Sequence, residues 1–166
     1  MKTTLNAIRA QGPCTEGWKK LLSHLGKTEA DDEPLSLLTI LESNGLDDAL
    51  WALRAVQGYD HEKRLYAVWC ARQVEHLLTD RRSLDALEVV ERFARGRATR
   101  GELTAAAWAA ASAAARAAAG SSASAAAWAA AYAAAQPVVW GAQVAELRRI
   151  CECIDAGVDP YPEIAP

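Results

Sequence analysis

From Thr104 to Gln136 the chain is written almost entirely in alanine, which makes up twenty-two of these 33 residues. The main exceptions recur every four positions at Trp108, Ser112, Arg116, Gly120, Ser124, Trp128, Tyr132 and Gln136, with Trp140 next in register. Alanine is the strongest helix former, so the segment is predicted to be helical without tertiary help. A step of four residues advances each special residue by ~40° around a helix. Trp108, Ser112 and Arg116 therefore share one face, and Ser124, Trp128, Tyr132 and Gln136 share another. Gly120-Ser121-Ser122 breaks the run, because glycine ends helices well and serine starts them well. This predicts a helical hairpin over about 100–136, with arms near 100–119 and 122–136. One continuous helix with a weak centre is the alternative. Pro137 stops or kinks the second arm.

The rest of the chain also reads as helix, with no convincing period-2 alternation. A short helix from Leu5 ends near Gly12-Pro13. A second runs from Thr15 to Leu25 with Gly26 as its stop. The acidic stretch Glu29-Ala-Asp-Asp-Glu33 precedes Pro34, which suits the first position of a helix reaching Leu41. Asp47 to Val56 and His61 to Thr79 follow. In the latter, Tyr66, Trp69, Cys70, Val74, Leu77 and Leu78 form one apolar stripe. Ser83 is the expected cap of a helix over Leu84–Ala94. Thr99 and Glu102 have capping-box spacing at the start of the alanine segment. A last helix runs from Val138 to Ala156, with Gly157 as its stop. Short loops favour antiparallel neighbours. The fold class is thus all-α: a single-domain bundle or stack of antiparallel helical hairpins over 1–157, followed by a tail at 158–166.

Charge and composition exclude several roles. The net charge of −3 is too weak for bulk attraction to nucleic acid or an anionic membrane. Residues 1–100 balance acid against base. The arginines at 92, 95, 97 and 100, with Arg81-Arg82 upstream, are interleaved with Glu88 and Glu91, which reads as a solvated helix end. The alternative is an anion-binding patch. Arg116 interrupts the alanine run, and alanine is weakly lipophilic, so no membrane helix is expected. Cys14, Cys70, Cys151 and Cys153 follow no signal peptide, which points to free thiols in a reducing cytoplasm. Cys151 and Cys153 lack a zinc-ligand spacing and the histidines are dispersed, so neither metal nor cofactor is expected.

No phosphate-cradling glycine loop, nucleophile elbow or HExxH motif occurs. Asp47 and Asp48 are adjacent and read as charges favouring a helix N-terminus rather than an acid/base pair. Two sets of binding residues stand out. Trp108, Arg116, Trp128, Tyr132 and Trp140 edge a flat small-residue surface, and aromatic and arginine side chains are enriched in binding hot spots. Trp69, Arg72 and His76 share a helix face and, with Arg54, could hold a nucleotide-like anion. The plainer reading of Arg72 is pairing with Glu75 or with an acidic neighbouring helix.

The block Ser43-Asn-Gly-Leu-Asp-Asp-Ala-Leu-Trp-Ala-Leu-Arg-Ala-Val56, the block Arg64-Leu-Tyr-Ala-Val-Trp-Cys-Ala-Arg-Gln73 and the tail of Ala-Ala-Ala-Trp-Ala-Ala-Ala units carry a resemblance. Together they resemble alanine-rich immunity proteins of bacteria and phages, over most of the chain. The resemblance implies a cytoplasmic, non-enzymatic protein that binds and neutralises a toxin or, in phages, a host defence component. It supplies no catalytic residues to carry over. The expected function is therefore inhibitory protein binding, with a small-ligand binder that sequesters a nucleotide-like signal as the alternative. A bare alanine face could also be completed by a second copy, so a homodimer is a further option.

Overall fold

The structure is a computed structural model and describes residues 1–73, 75–77, 80–120 and 140–162, leaving aside the side chains of 77 and 111–120. Among the described residues it is all-α apart from one two-stranded antiparallel ladder. The residues group into two compact units, Met1–Tyr59 with Gln143–Pro166, and Asp60–Ala142.

The first unit begins with β1 (Lys2–Thr3), α1 (Leu5–Ala10) and α2 (Thr15–Leu25). It continues through β2 (Leu35–Ser36), α3 (Leu37–Asn44), α4 (Leu46–Ala52) and a 3-10 turn over Leu53–Ala55. Much of α8 (140–155) completes it. The expected limits of α2 hold. Gly26 closes the helix in the left-handed region at φ 63°, which a side chain would disfavour, and its amide bonds the Leu22 and Ser23 carbonyls.

Pro34 does not open a helix. Leu35 and Ser36 instead pair with Thr3 and Lys2, and α3 starts at Leu37 with the Ser36 hydroxyl accepting from the Leu38 amide at 3.2 Å. A side-chain cap on the third residue outcompetes a proline start here, and two-residue strands are too short to show alternation. Leu5, Leu37, Ile40, Leu46, Leu147, Ile150 and Cys151 are almost wholly buried, each large aliphatic chain contributing about 1.5–3 kcal/mol of apolar transfer. The Met1 amine pairs with Asp155 at 3.0 Å and Arg148 with Glu42 at 2.9 Å, so α8 is tied to both Met1 and α3.

The second unit contains α5 (Asp60–Gln73), a 3-10 turn over Glu75–Leu77, α6 (Arg81–Ala94) and α7 (Arg100–Gly120). Helix α6 packs against both α5 and α7. Its core holds Leu65, Tyr66, Val68, Ala86, Leu87 and Ala94. Of the predicted stripe, Tyr66 is buried, Trp69 and Cys70 are half-buried, and Val74, Leu78 and the Leu77 side chain lie outside what is described. The cap of α6 is Asp80, not Ser83; its carboxylate accepts from the Arg82 amide at 2.8 Å and starts the helix three residues early. The Thr99–Glu102 capping box forms as read. The Thr99 amide donates to Glu102 at 2.8 Å, and the Glu102 amide donates to the Thr99 hydroxyl at 3.2 Å. Helix α7 covers the first part of the alanine segment; the expected second arm at 122–136, and with it the choice between a hairpin and one continuous helix, lies outside the described residues.

Candidate functional site

In the first unit, a cleft of about 220 Å³ opens among α1, α2, α3 and α4. Ile8, Leu21 and Ile40 line it with buried aliphatic carbon, and the half-buried rings of Trp18 and Trp51 stand against them. The sequence places these groups simply. Trp18 and Leu21 are three apart on α2, and Ile8 and Ile40 lie on the inward faces of α1 and α3.

The remainder of the lining is polar and acidic. Asp47 and Asp48 stand in the first turn of α4, where the helix dipole favours them, and both border the cleft although they are neighbours in sequence. Asn44 fixes one of them: its Nδ2 donates to Asp48 Oδ2 at 2.7 Å and to the Gly17 carbonyl at 2.8 Å. Its Oδ1 accepts from Ser43 at 2.7 Å, which sets the amide orientation. Gly17 leaves room for this arrangement, because a Cβ there would lie 2.7 Å from Asp48 Oδ2 and the carboxylate would have to shift. Cys14 caps α2, its exposed sulfur accepting from the Gly17 amide at 3.3 Å. An apolar cavity with two indoles and two carboxylates offers attraction for a positively charged organic group.

The residues singled out from the sequence are distributed differently. Trp108 is 71 % exposed on α7, on the face shared by Thr104 and Ala105, while Leu103 and Ala106 are half-buried. Trp140 is 38 % exposed at the start of α8. Arg116 lies in α7, but its side chain, like Trp128 and Tyr132, lies outside what is described.

Of the alternative set, Arg54 belongs to the first unit, its guanidinium 5.7 Å over the Trp51 ring. Trp69 and Arg72 are half-buried on α5 in the second unit, and His76 is exposed in its 3-10 turn. Trp69 stacks on Tyr66 with ring centroids 6.5 Å apart. Arg72 bonds Glu75 at 2.8 Å and grips Glu91 of α6 through Nη2 at 2.7 Å and Nε at 3.2 Å. The bond to Arg72 holds the Glu91 carboxyl below its ordinary range, against the opposing effect of burial.

The nearby groove of about 300 Å³, lined by Arg72, Arg92, Arg95 and Arg97, also contains Glu88 and Glu91. Arg92 pairs with Glu102, Arg81 with Asp85 and Arg82 with Asp80, so much of this basic stretch is neutralised locally. Among the described residues no three metal-ligating side chains converge, and no helix is long and apolar enough to cross a membrane.

Sequence reasoning missed the cleft. Trp18 carried the signature of a core residue and the carboxylates that of a helix start; only the packing of α2 against α3 and α4 brings them to one site. No family model matches this chain, and no curated protein or solved structure is detectably similar to it.

Proposed function

We propose that this chain is a non-catalytic inhibitory binding protein of the immunity or anti-defence type, which neutralises a toxin or a host defence protein by occupying its surface. The observation that carries this reading is Trp108, 71 % exposed on α7 within the stretch Thr104–Ala111, whose other residues are threonine and alanine. An indole in water on a rigid, methyl-covered helix is a low-entropy anchor, and such rings dominate binding energy where they are buried by a partner. The capping box and the packing on α6 hold the base of α7 in place, so the anchor is presented on a fixed element. The blocks at 43–56 and 64–73 and the alanine–tryptophan units give the same direction through their resemblance to alanine-rich immunity proteins.

The nucleotide-sequestering alternative has less support. The Arg72 guanidinium is engaged by Glu75 and Glu91, and the cleft of the first unit is lipped by carboxylates, which repel phosphate.

The test is affinity capture from host-cell lysate with the tagged wild-type chain and the Trp108→Ala variant. A stoichiometric protein partner held by the wild type and lost from the equally stable variant supports the reading. Capture of no stoichiometric protein removes the inhibitory function, and equal capture by both chains removes Trp108 as the anchor.

A further inference from the structure

We propose that the cleft of the first unit is a binding site for a small organic cation: a primary ammonium on an aromatic or aliphatic body of about ten non-hydrogen atoms. Three independent observations converge on this chemistry.

The first is size. A cavity of ~150 Å³ admits benzene; this cleft, at about 220 Å³, has room for a ring with a short charged arm. The second is the wall. Trp18 and Trp51 supply indole surface beside the aliphatic surface of Ile8 and Ile40; the Arg54 guanidinium lies over the Trp51 ring at 5.7 Å, which leaves Trp18 as the main ring for a bound cation. Indole is the aromatic best suited to such contacts.

The third is charge. Asp47 and Asp48 both border the cleft, and Asp48 is held in position by the Asn44 amide at 2.7 Å rather than neutralised by a base. The nearest lysine by hydrogen bonding, Lys20, donates to the Asn44 carbonyl at 3.4 Å, and among the described residues no ion pair involves Asp47 or Asp48. A neutral apolar ligand would leave these carboxylates unused, and an anion would be repelled. A divalent metal demands several more hard oxygen donors than the two carboxylates and one amide provide.

The full-length chain is titrated calorimetrically with 2-phenylethylammonium, with neutral 2-phenylethanol, and with Nα-acetyl-lysine methylamide as the side-chain form of the same charge. Cys14, which lines the cleft with an exposed sulfur, supplies a second readout through protection from iodoacetamide. The expected result is binding of the amine at least tenfold tighter than the alcohol, slowed alkylation of Cys14, and a loss of about tenfold in Asp47→Asn and Asp48→Asn.

Asp47 is exposed and takes part in no ion pair among the described residues, so its variant keeps the test valid if Asp48→Asn destabilises the unit. Equal affinity for amine and alcohol would overturn the assignment, leaving an apolar cavity without charge selection. Tighter binding of the lysine amide than of the amine would overturn the small-molecule source in favour of a partner's side chain. Absence of amine binding up to about 10 mM would remove the site altogether.

Discussion

Asp48 Oδ2 occupies space that a side chain on Gly17 would need, 2.7 Å from the position of its Cβ. Alanine at this helical position would gain about 1 kcal/mol of propensity over glycine, but it would push against a carboxylate already held by Asn44. Gly17→Ala is therefore expected to be neutral or destabilising alone and more favourable by about 1 kcal/mol when combined with Asp48→Ala. Urea unfolding of the four chains in the cycle measures this. Strict additivity would mean that the carboxylate moves aside freely.

The Arg72–Glu91 contact predicts a pH dependence. Glu91 has its carboxyl lowered first by the bond to Arg72, so the folded state releases the proton more readily than the unfolded chain. Its contribution is fully present above the ordinary carboxyl value near 4.5 and disappears as pH falls through the lowered value. Glu91→Gln is expected to cost about 1 kcal/mol at pH 7. The gap to wild type should close below the usual carboxyl range, which thermal unfolding from pH 7 down to pH 3 would record.

The four thiols should separate by reactivity. Cys14 is exposed, whereas Cys151 is fully buried in the first unit and burial pushes its thiol up to about 11. Alkylation followed by peptide mass spectrometry at pH 8 should modify Cys14 first. Cys151 should remain untouched until denaturant is added. Early labelling of Cys151 would show that α8 detaches readily.

Helix α6 offers a test of its true start. Asp80→Ala is expected to cost about 1 kcal/mol by removing the cap on the Arg82 amide. Ser83→Ala, inside the first turn, should change stability by less than about 0.5 kcal/mol. The reverse order would restore Ser83 as the cap.

Trp108 and Ile150 should respond oppositely to truncation. Trp108→Ala is expected to shift unfolding by no more than about 0.5 kcal/mol, because the ring is 71 % exposed. Ile150→Ala should cost about 2–5 kcal/mol, since that side chain is wholly buried. Comparable losses from both would place Trp108 in the core and remove its role as an anchor.

Much of the helical architecture was legible in the sequence, because it rests on local signals. Gly26 and Gly157 stop helices by adopting positive φ, and Thr99 with Glu102 starts one, all through contacts a few residues apart. The errors came where a local signal had a competitor. Ser83 and Asp80 both qualify as caps, and Pro34 was overruled by a Ser36 cap and by pairing with Thr3 across more than thirty residues. The cleft was illegible for a different reason. Cys14, Asn44 and Trp51 meet only when three helices pack, and each alone has an ordinary explanation.

The first unit is discontinuous in sequence: the stretch from Asp60 to Ala142 is spliced between its two parts. Leu147, Ile150 and Cys151 of α8 supply core that Leu5 and Leu37 lack until then, and Asp155 reaches back 154 residues to the Met1 amine. Biosynthesis therefore inverts the order of the chain. The inserted unit is contiguous and can close while translation continues. The N-terminal helices, with their cleft, must wait for roughly 100 further residues, about 5–20 s of synthesis. During that interval α2, α3 and α4 have one another to pack on, but not the core that Leu147, Ile150 and Cys151 supply. A segment made before the inserted unit thus becomes native only after a segment made behind it.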